Sequence, residues 1–541
     1  VEVAKGKTLT LQTGTLKGTG ANALRLQSAL GYGEGAYDVY QPFTNFATVE
    51  VQGGTQNFRS TGAGGVALTE ANVKFGGPSL SAVLSGSAAG ADCSASIACG
   101  AGAKFTFVPG FGRLRVARST NAAKATLNVG PIVREGRAIA QLEGSTAGQA
   151  SLGSEDFIKT SSTDALGIAN GIVAPWLVIY GHGDHAYNLD FAAYSDAKGF
   201  VPATECYEDS IDAGETAVVN LTGNQTISGD KHVHALRFTT TDTSGLGSLV
   251  LNGQLRVGDG VNPAGVIFNY SNKSGNNSGL KFEGTGALDF GESEGIVHLS
   301  VRDADARRYF YLNAPIKGEK SVTFSSAYMS SAARGPIVQI GSANNLQWKG
   351  DLVLRGVRWN GSSQEVMPFA HVYADGRGVT RSSQICLGAG KTYTNAFHIA
   401  GNGFQNSTDK EGVLNLGGGN AASLTGSVEL MENSTFYGPF VFDCAISGRG
   451  GALICGDAAA SQIFRRANTY FGSTYVRDVS LVLEPNGTFG SGNVTVAAAG
   501  KINFRDGTRT IDNAISGDGE VSLTNERLTL GGKNAFANCK G

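Results

Sequence analysis

GNVTVAAAGKINF (492–504) alternates apolar with polar or small residues, and it is not alone. KTLTLQTGTL (7–16), RLRVARS (113–119), KATLNVG (124–130), SLVLNGQLRVG (248–258), DLVLRGVRW (351–359) and GSVELM (426–431) repeat the pattern. A period of two puts one face of a strand inside. Glycine, asparagine and serine punctuate these runs every ~8–12 residues. Long helical patterns are nearly absent, and the short run ALRLQSAL (23–30) has strand-like flanks. Such a chain folds as stacked sandwiches or as a solenoid.

Composition favours the solenoid. Glycine supplies 78 of 541 residues, roughly twice the usual share, and proline only 12. Tight turns of a stacked coil need glycine or asparagine where φ is positive. Two-residue hairpin turns between matched strands are few, and a parallel stack needs none, because each strand pairs with its counterpart one coil on. A degenerate repeat runs through LQWKGDLVLRG (346–356), SLTGSVELMEN (423–433) and TYFGSTYVRDV (469–479), aligned on Gly350, Gly426 and Gly472; a fourth copy begins at NAFANCKG with Gly541. Its spacing is irregular, as solenoids allow when insertions leave as loops. At roughly 20–25 residues per coil, the chain makes on the order of 20 coils, an elongated body.

The charge balance excludes other classes. Lysine plus arginine is 43 and aspartate plus glutamate 45, a net charge of −2. Without a basic run, no nucleic-acid partner is expected. Glycine lacks a three-residue period, which removes collagen. Apolar content of 41% is too high for a disordered tail. No stretch approaches about 18 uninterrupted apolar residues, so no membrane-spanning helix is expected. Three regions follow: a β-helix segment at 1–130, an irregular junction at 131–216 holding Pro131, Pro175 and Pro202, and a second β-helix segment at 217–541 that continues beyond the C-terminus. Both ends read as cut, either by processing or because the chain is a segment of a longer polypeptide.

Three stretches together carry a family resemblance. RANTYFGSTYVRDVSLVLEPNGTFGSGNVTVAAAGKINF (466–504) combines a NTY-x-G-x-T element with GSG-x-V-T-V. LGAGKTYTNAFHIAGNG (387–403) leads into GVLNLGGGNAASLTGSVEL (412–430). GIVAPWLVIYGHGDHAYNLDFAAYSDAKGFVPA (171–203) precedes NLTGNQTISGDKHVHALRF (220–238). About a third of the chain resembles the autotransporter-associated β-strand repeat proteins, very large glycine-rich surface and secreted proteins of bacteria. The resemblance implies an elongated right-handed parallel β-helix with loop excursions, outside the cell, acting as adhesin, stalk or fibre, with no catalytic residues. The seven cysteines depart from that pattern.

Few clusters carry chemistry. In GHGDHAYNLD, His182, Asp184, His185 and Asp190 would converge on a metal only in a loop, and the plainer reading is a solvated loop. His232 and His234 of KHVH share a strand face without a third ligand in sight. RDADARR (302–308) alternates charge sign, so ion pairing on a solvated turn is expected rather than a glycosidase acid pair. No calcium-binding nonapeptide recurs, and no cofactor is expected. Aromatics are the better lead: Tyr32, Tyr37, Tyr40 and Phe43 in GYGEGAYDVYQPFTNF are candidates for surface recognition of a glycan or another subunit, against the alternative of an internal stack. Cysteine spacing suggests two local bridges, Cys93–Cys99 across one loop and Cys444–Cys455 across a turn, in keeping with an oxidising, extracellular setting.

The expected protein is therefore an extracellular structural or adhesive solenoid, not an enzyme. It would self-associate end to end or continue in the same polypeptide, because open solenoid ends expose unpaired strand edges. The alternatives are a polysaccharide-cleaving β-helix enzyme and a phage tail-fibre-like protein.

Overall fold

The computed structural model describes every residue except 1, 4–7, 12–15, 29–35, 52–54, 62–65, 77–78, 86–89, 120–121, 146–150, 182–187, 241–245, 271–277, 302–307, 327–335, 361–366, 376–382, 404–411, 417–418, 458–459, 532–538 and 540–541. Among the described residues there is no α-helix, only strands, turns and two short 3-10 turns. The chain forms a parallel β-solenoid divided into two compact units. The first holds residues 1–336, 344–349 and 377–380; the second holds 337–343, 350–376 and 381–541.

Coiling begins at once in the first unit. Each strand pairs, parallel, with the third strand onward, so three strands make one coil. One sheet runs from Glu2–Val3 through Thr48–Val51 and Asn72–Phe75 to Ile132–Arg134. A second includes Thr8–Leu11, Thr55–Thr61, Ser79–Ser85, Phe111–Arg118 and Ile139–Glu143. The third ends on Ala91–Ile97, Ala122–Val129 and Asp156–Thr160. Alternation sends Val49, Val73, Phe105 and Ile132 into the core, each above the last. Inside, Phe75, Phe105, Phe107 and Trp176 pack at centroid distances of 5.2–6.0 Å, mostly edge to face.

The solenoid continues to Thr160, further than the boundary at 130 read from the sequence. The proline-bearing region misled that reading, because Pro131 stands directly before Ile132–Arg134 and its carbonyl accepts from the Phe105 amide at 3.0 Å, so the ladder is intact. The coil breaks at Leu177–Tyr180, which still pairs parallel with Ile139–Glu143 but is followed by two antiparallel strands, Leu189–Ser195 and Gly199–Pro202.

Parallel coiling then resumes. Val218–Thr222, Ala235–Thr240, Ala264–Tyr270, Gly295–Val301 and Val322–Ser326 stack in register. Ala264–Tyr270 is buried along its whole length, which requires cover on both faces. Val266, Phe268 and Tyr270 alternate with Ile267 and Asn269; Ile267 packs with Ile172, Val178 and Phe191 of the junction. Asn269 mimics a strand partner: its Oδ1 accepts from the Leu189 amide at 2.8 Å, and its Nδ2 donates to the Leu189 carbonyl at 2.9 Å. Arg134 grips Glu294 with two hydrogen bonds of 2.7 and 2.8 Å. His298 donates to the Pro175 carbonyl at 2.7 Å and accepts from Ser325 Oγ at 2.6 Å.

The second unit also coils in parallel, with shorter coils in which Ala452–Cys455 and Thr474–Val476 each pair with the second strand onward. Phe436 faces Ile454 18 residues on, Ile454 faces Val476 after 22, and Val476 faces Val496 after 20. Phe440–Phe442, Ser461–Phe464, Ser480–Leu483, Lys501–Arg505 and Glu520–Thr524 build its other main sheet. The glycines that aligned the repeat precede strands: Gly350 before Leu352–Arg355, Gly426 before Ser427–Tyr437, and Gly472 before Thr474–Val476. Gly472 stacks between Gly450–Gly451 and Gly492 of adjoining coils; a methyl at Gly472 would lie 2.3 Å from the Gly451 nitrogen. Gly541 lies outside the described residues.

Candidate functional site

The structure disperses most of the sequence candidates. Tyr37 and Phe43 are buried core residues, not surface aromatics, and Phe43 packs edge to face on Phe58 at 5.5 Å. Inward alternation of Ala36–Val39 sends Tyr37 and Val39 into the coil, so the internal stack is what forms. Tyr40 is half-buried beneath Arg59, whose guanidinium lies 5.7 Å from the ring centre. Tyr32, His182, Asp184, His185 and residues 302–307 of RDADARR lie outside the described residues. Asp190 is buried and bonded to the Tyr207 hydroxyl, with Arg237 3.7 Å away, as part of the junction. His232 bonds the Gly258 carbonyl at 2.9 Å, while His234 is buried, its charged form disfavoured by burial.

The two expected disulfides are absent: all seven cysteines are thiols. Cys93 points inward from Ala91–Ile97 and bonds the Lys124 carbonyl at 3.3 Å, whereas Cys99 lies beyond the strand end, against the Thr69 carbonyl. The two thiols face opposite neighbours of their strand, Cys93 toward Lys124 on the following coil and Cys99 toward Thr69 on the preceding one. Cys444 sits in the turn after Phe440–Phe442, while Cys455 ends a strand of a different sheet and bonds the Phe436 carbonyl at 3.3 Å. Burial pushes the Cys444 thiol up to about 12. What looked like loop closure is sheet geometry: each thiol fills its own inward or turn position.

A surface groove of about 540 Å³ lies in the first unit, lined by Cys99, Lys104, Asn128, Lys159, Tyr194 and Asp196 among others. Lys159 donates to the Asp196 carbonyl at 2.9 Å and the Tyr194 hydroxyl to the Thr160 carbonyl at 3.1 Å. Burial raises both the Cys99 thiol and the Tyr194 phenol, so neither is an activated nucleophile. Among the described lining residues Asp196 is the one carboxylate. The described lining therefore does not present the paired acids of glycoside hydrolysis.

A denser cluster lies on the outer face of the second unit. The strands His371–Asp375, Ala396–Gly401 and Ser427–Tyr437 run parallel, and their register aligns Tyr373, His398 and Glu429. Val372, Phe397, Ile399, Val428 and Leu430 take the inward positions. The alternate positions then turn His371, Tyr373, His398 and Glu429 outward. Tyr373 and His398 stack at 4.3 Å with planes 8° apart. Glu429 accepts from His398 Nδ1 at 2.6 Å, and His371 Nδ1 lies 3.0 Å from His398 Nε2. The carboxylate holds the proton on Nδ1 of His398, which leaves the Nε2 lone pair facing His371. Sequence reading missed this group because its members lie 27 and 31 residues apart and meet only through the coil register. The only sequence hint is the shared alternation of HVYAD (371–375), FHIAG (397–401) and VELME (428–432).

Among the described residues, no group of three or more His, Cys, Asp or Glu side chains is arranged to hold a metal ion. No described helix is long and apolar enough to cross a membrane. Comparison with protein-family models, curated proteins and solved structures finds no match to this chain.

Proposed function

We propose that this chain is an extracellular structural and adhesive β-solenoid of a bacterial cell surface, part of a fibre, stalk or filament. The observation that carries the reading is the in-register parallel ladder within each unit, from Thr48–Val51 to Ile132–Arg134 in one and from Ala452–Cys455 to Val494–Val496 in the other. Backbone hydrogen bonds that run along the coil axis resist extension as a set, and a core built coil by coil grows with length. The outer faces remain polar and weakly charged, suited to display and lateral contact. The resemblance of 466–504 to autotransporter-associated repeats supports the same reading, and those residues supply strands to two successive coils.

End-to-end contact forms part of the proposal. Phe504 and Ile511 are buried, yet their partners one coil on, Leu523 and Leu530, are among the exposed large apolar residues. A further parallel coil, from this polypeptide or another copy, would cover that row and satisfy the strand edges beside it. Electron microscopy of the purified chain tests the reading. Rods or filaments that shorten when Leu523 and Leu530 are both changed to Lys are expected. Globular particles would overturn the structural role, and rods unaffected by the double change would overturn the end contact alone.

A further inference from the structure

We propose that His371 and His398 form a two-imidazole site for a divalent transition-metal ion, Cu²⁺ above all, with Glu429 as the carboxylate that orients one ligand. The separation of the two facing nitrogens is the first argument. At a metal–nitrogen distance of about 2.05 Å, two imidazole nitrogens in adjacent square-planar positions lie about 2.9 Å apart, and in tetrahedral positions about 3.3 Å apart. The observed 3.0 Å matches the square-planar separation, so the two nitrogens need not move apart; the exposed His371 ring turns so that both lone pairs aim at the ion and not along the nitrogen–nitrogen line.

The protonation pattern is the second argument. Glu429 accepts the Nδ1 proton of His398, so the Nε2 lone pair already points at the gap. His371 donates into that gap through Nδ1. When the metal enters, the His371 proton moves to Nε2, on the outer edge of the ring, and both ligands stay neutral. A carboxylate bonded to the far nitrogen of a metal-bound imidazole fixes its tautomer and raises its basicity. The 4.3 Å stack of Tyr373 on His398 holds the ring plane. His371 is exposed, so the remaining coordination positions open to water. Imidazole ligands suit Cu²⁺, Ni²⁺ and Zn²⁺, and affinity in this series peaks at Cu²⁺. His232 and His234 offer a contrast: one is bonded to the Gly258 carbonyl and the other is buried.

The site belongs to the outer face, independent of the structural role proposed above. Titration of the full chain with CuCl₂ tests it, followed by calorimetry and electron paramagnetic resonance. One saturable site with coupling from two nitrogens is expected. His371→Asn and His398→Asn should each weaken it at least about tenfold and remove one nitrogen coupling, while Glu429→Gln should weaken it about 10–100-fold. His232→Asn should leave it unchanged. Far-UV circular dichroism confirms that each outward-facing variant keeps the fold. The proposal is overturned if the parent shows no saturable binding, if both His371→Asn and His398→Asn bind like the parent, or if the site disappears with His232→Asn.

Discussion

Replacing Phe442 with alanine probes the core of the second unit. Phe442 is fully buried and touches three other rings: Phe436 at 5.0 Å, Phe464 at 5.4 Å and Phe440 at 5.8 Å. Its strand lies between Ala422–Leu424 and Ser461–Phe464. Truncating a buried phenylalanine costs about 3–5 kcal/mol through lost transfer energy and the cavity left behind. Losing edge-to-face partners places this site toward the upper end of that range. In a solenoid each coil contacts only its neighbours, so the loss is local. Amide hydrogen exchange read by mass spectrometry should show protection in residues 422–424, 440–442 and 461–464 falling by about two to three and a half powers of ten. Protection in Ser79–Ser85 of the first unit should hold. Phe442→Leu, which fills most of the space, should cost about 1 kcal/mol. Equal loss of protection in both units, or a cost below about 1 kcal/mol for the alanine variant, would refute a core assembled coil by coil.

Three further outcomes follow from particular contacts. Burial, with Arg134 nearby, lowers His298 to about 4, only partly offset by its hydrogen bond to Pro175. The unfolded chain therefore binds a proton near pH 6.5 that the folded chain refuses. Stability is complete above that pH and falls by up to about 3 kcal/mol as pH drops toward 4; His298→Gln should flatten this acid limb in denaturant titrations run across that range. Gly472→Ala places a methyl 2.3 Å from the Gly451 nitrogen, and backbone cannot swing aside as a side chain can, so the variant should lose about 1–3 kcal/mol by urea titration, with Ala→Gly reversion restoring the midpoint. Because the cysteines are thiols, thermal midpoints with and without a reductant should coincide; a lower midpoint in reductant would restore the disulfide reading.

Much of the fold was legible in the residues. The alternation in KATLNVG (124–130) returns as Ala122–Val129, and that in SLVLNGQLRVG (248–258) as Gly247–Leu251 and Gln254–Val257. Parallel pairing runs past the boundary read at 130 as far as Thr160, since prolines can stand between the strands of a solenoid without ending it. The site was less legible. Aromatics in GYGEGAYDVYQPFTNF looked like a surface cluster, but inward alternation carried Tyr37 and Phe43 into the core. Cysteines close in sequence looked paired, yet extended backbone and sheet changes keep them apart.

Local pattern alone determined that this chain makes strands, that glycine turns them, and that they stack in parallel, because period-two burial and positive-φ turns are properties of neighbouring residues. Only the tertiary structure decided which strand lies on which. Coil lengths vary: Val218 pairs with Ala235 after 17 residues, Val428 with Ile446 after 18, Leu80 with Leu114 after 34 and Ala140 with Leu177 after 37, so no fixed period tells one residue its partner. That choice belongs to long-range backbone pairing and to the fit of large side chains in a shared core. It brings Pro175 to His298, and His371 to His398 and Glu429.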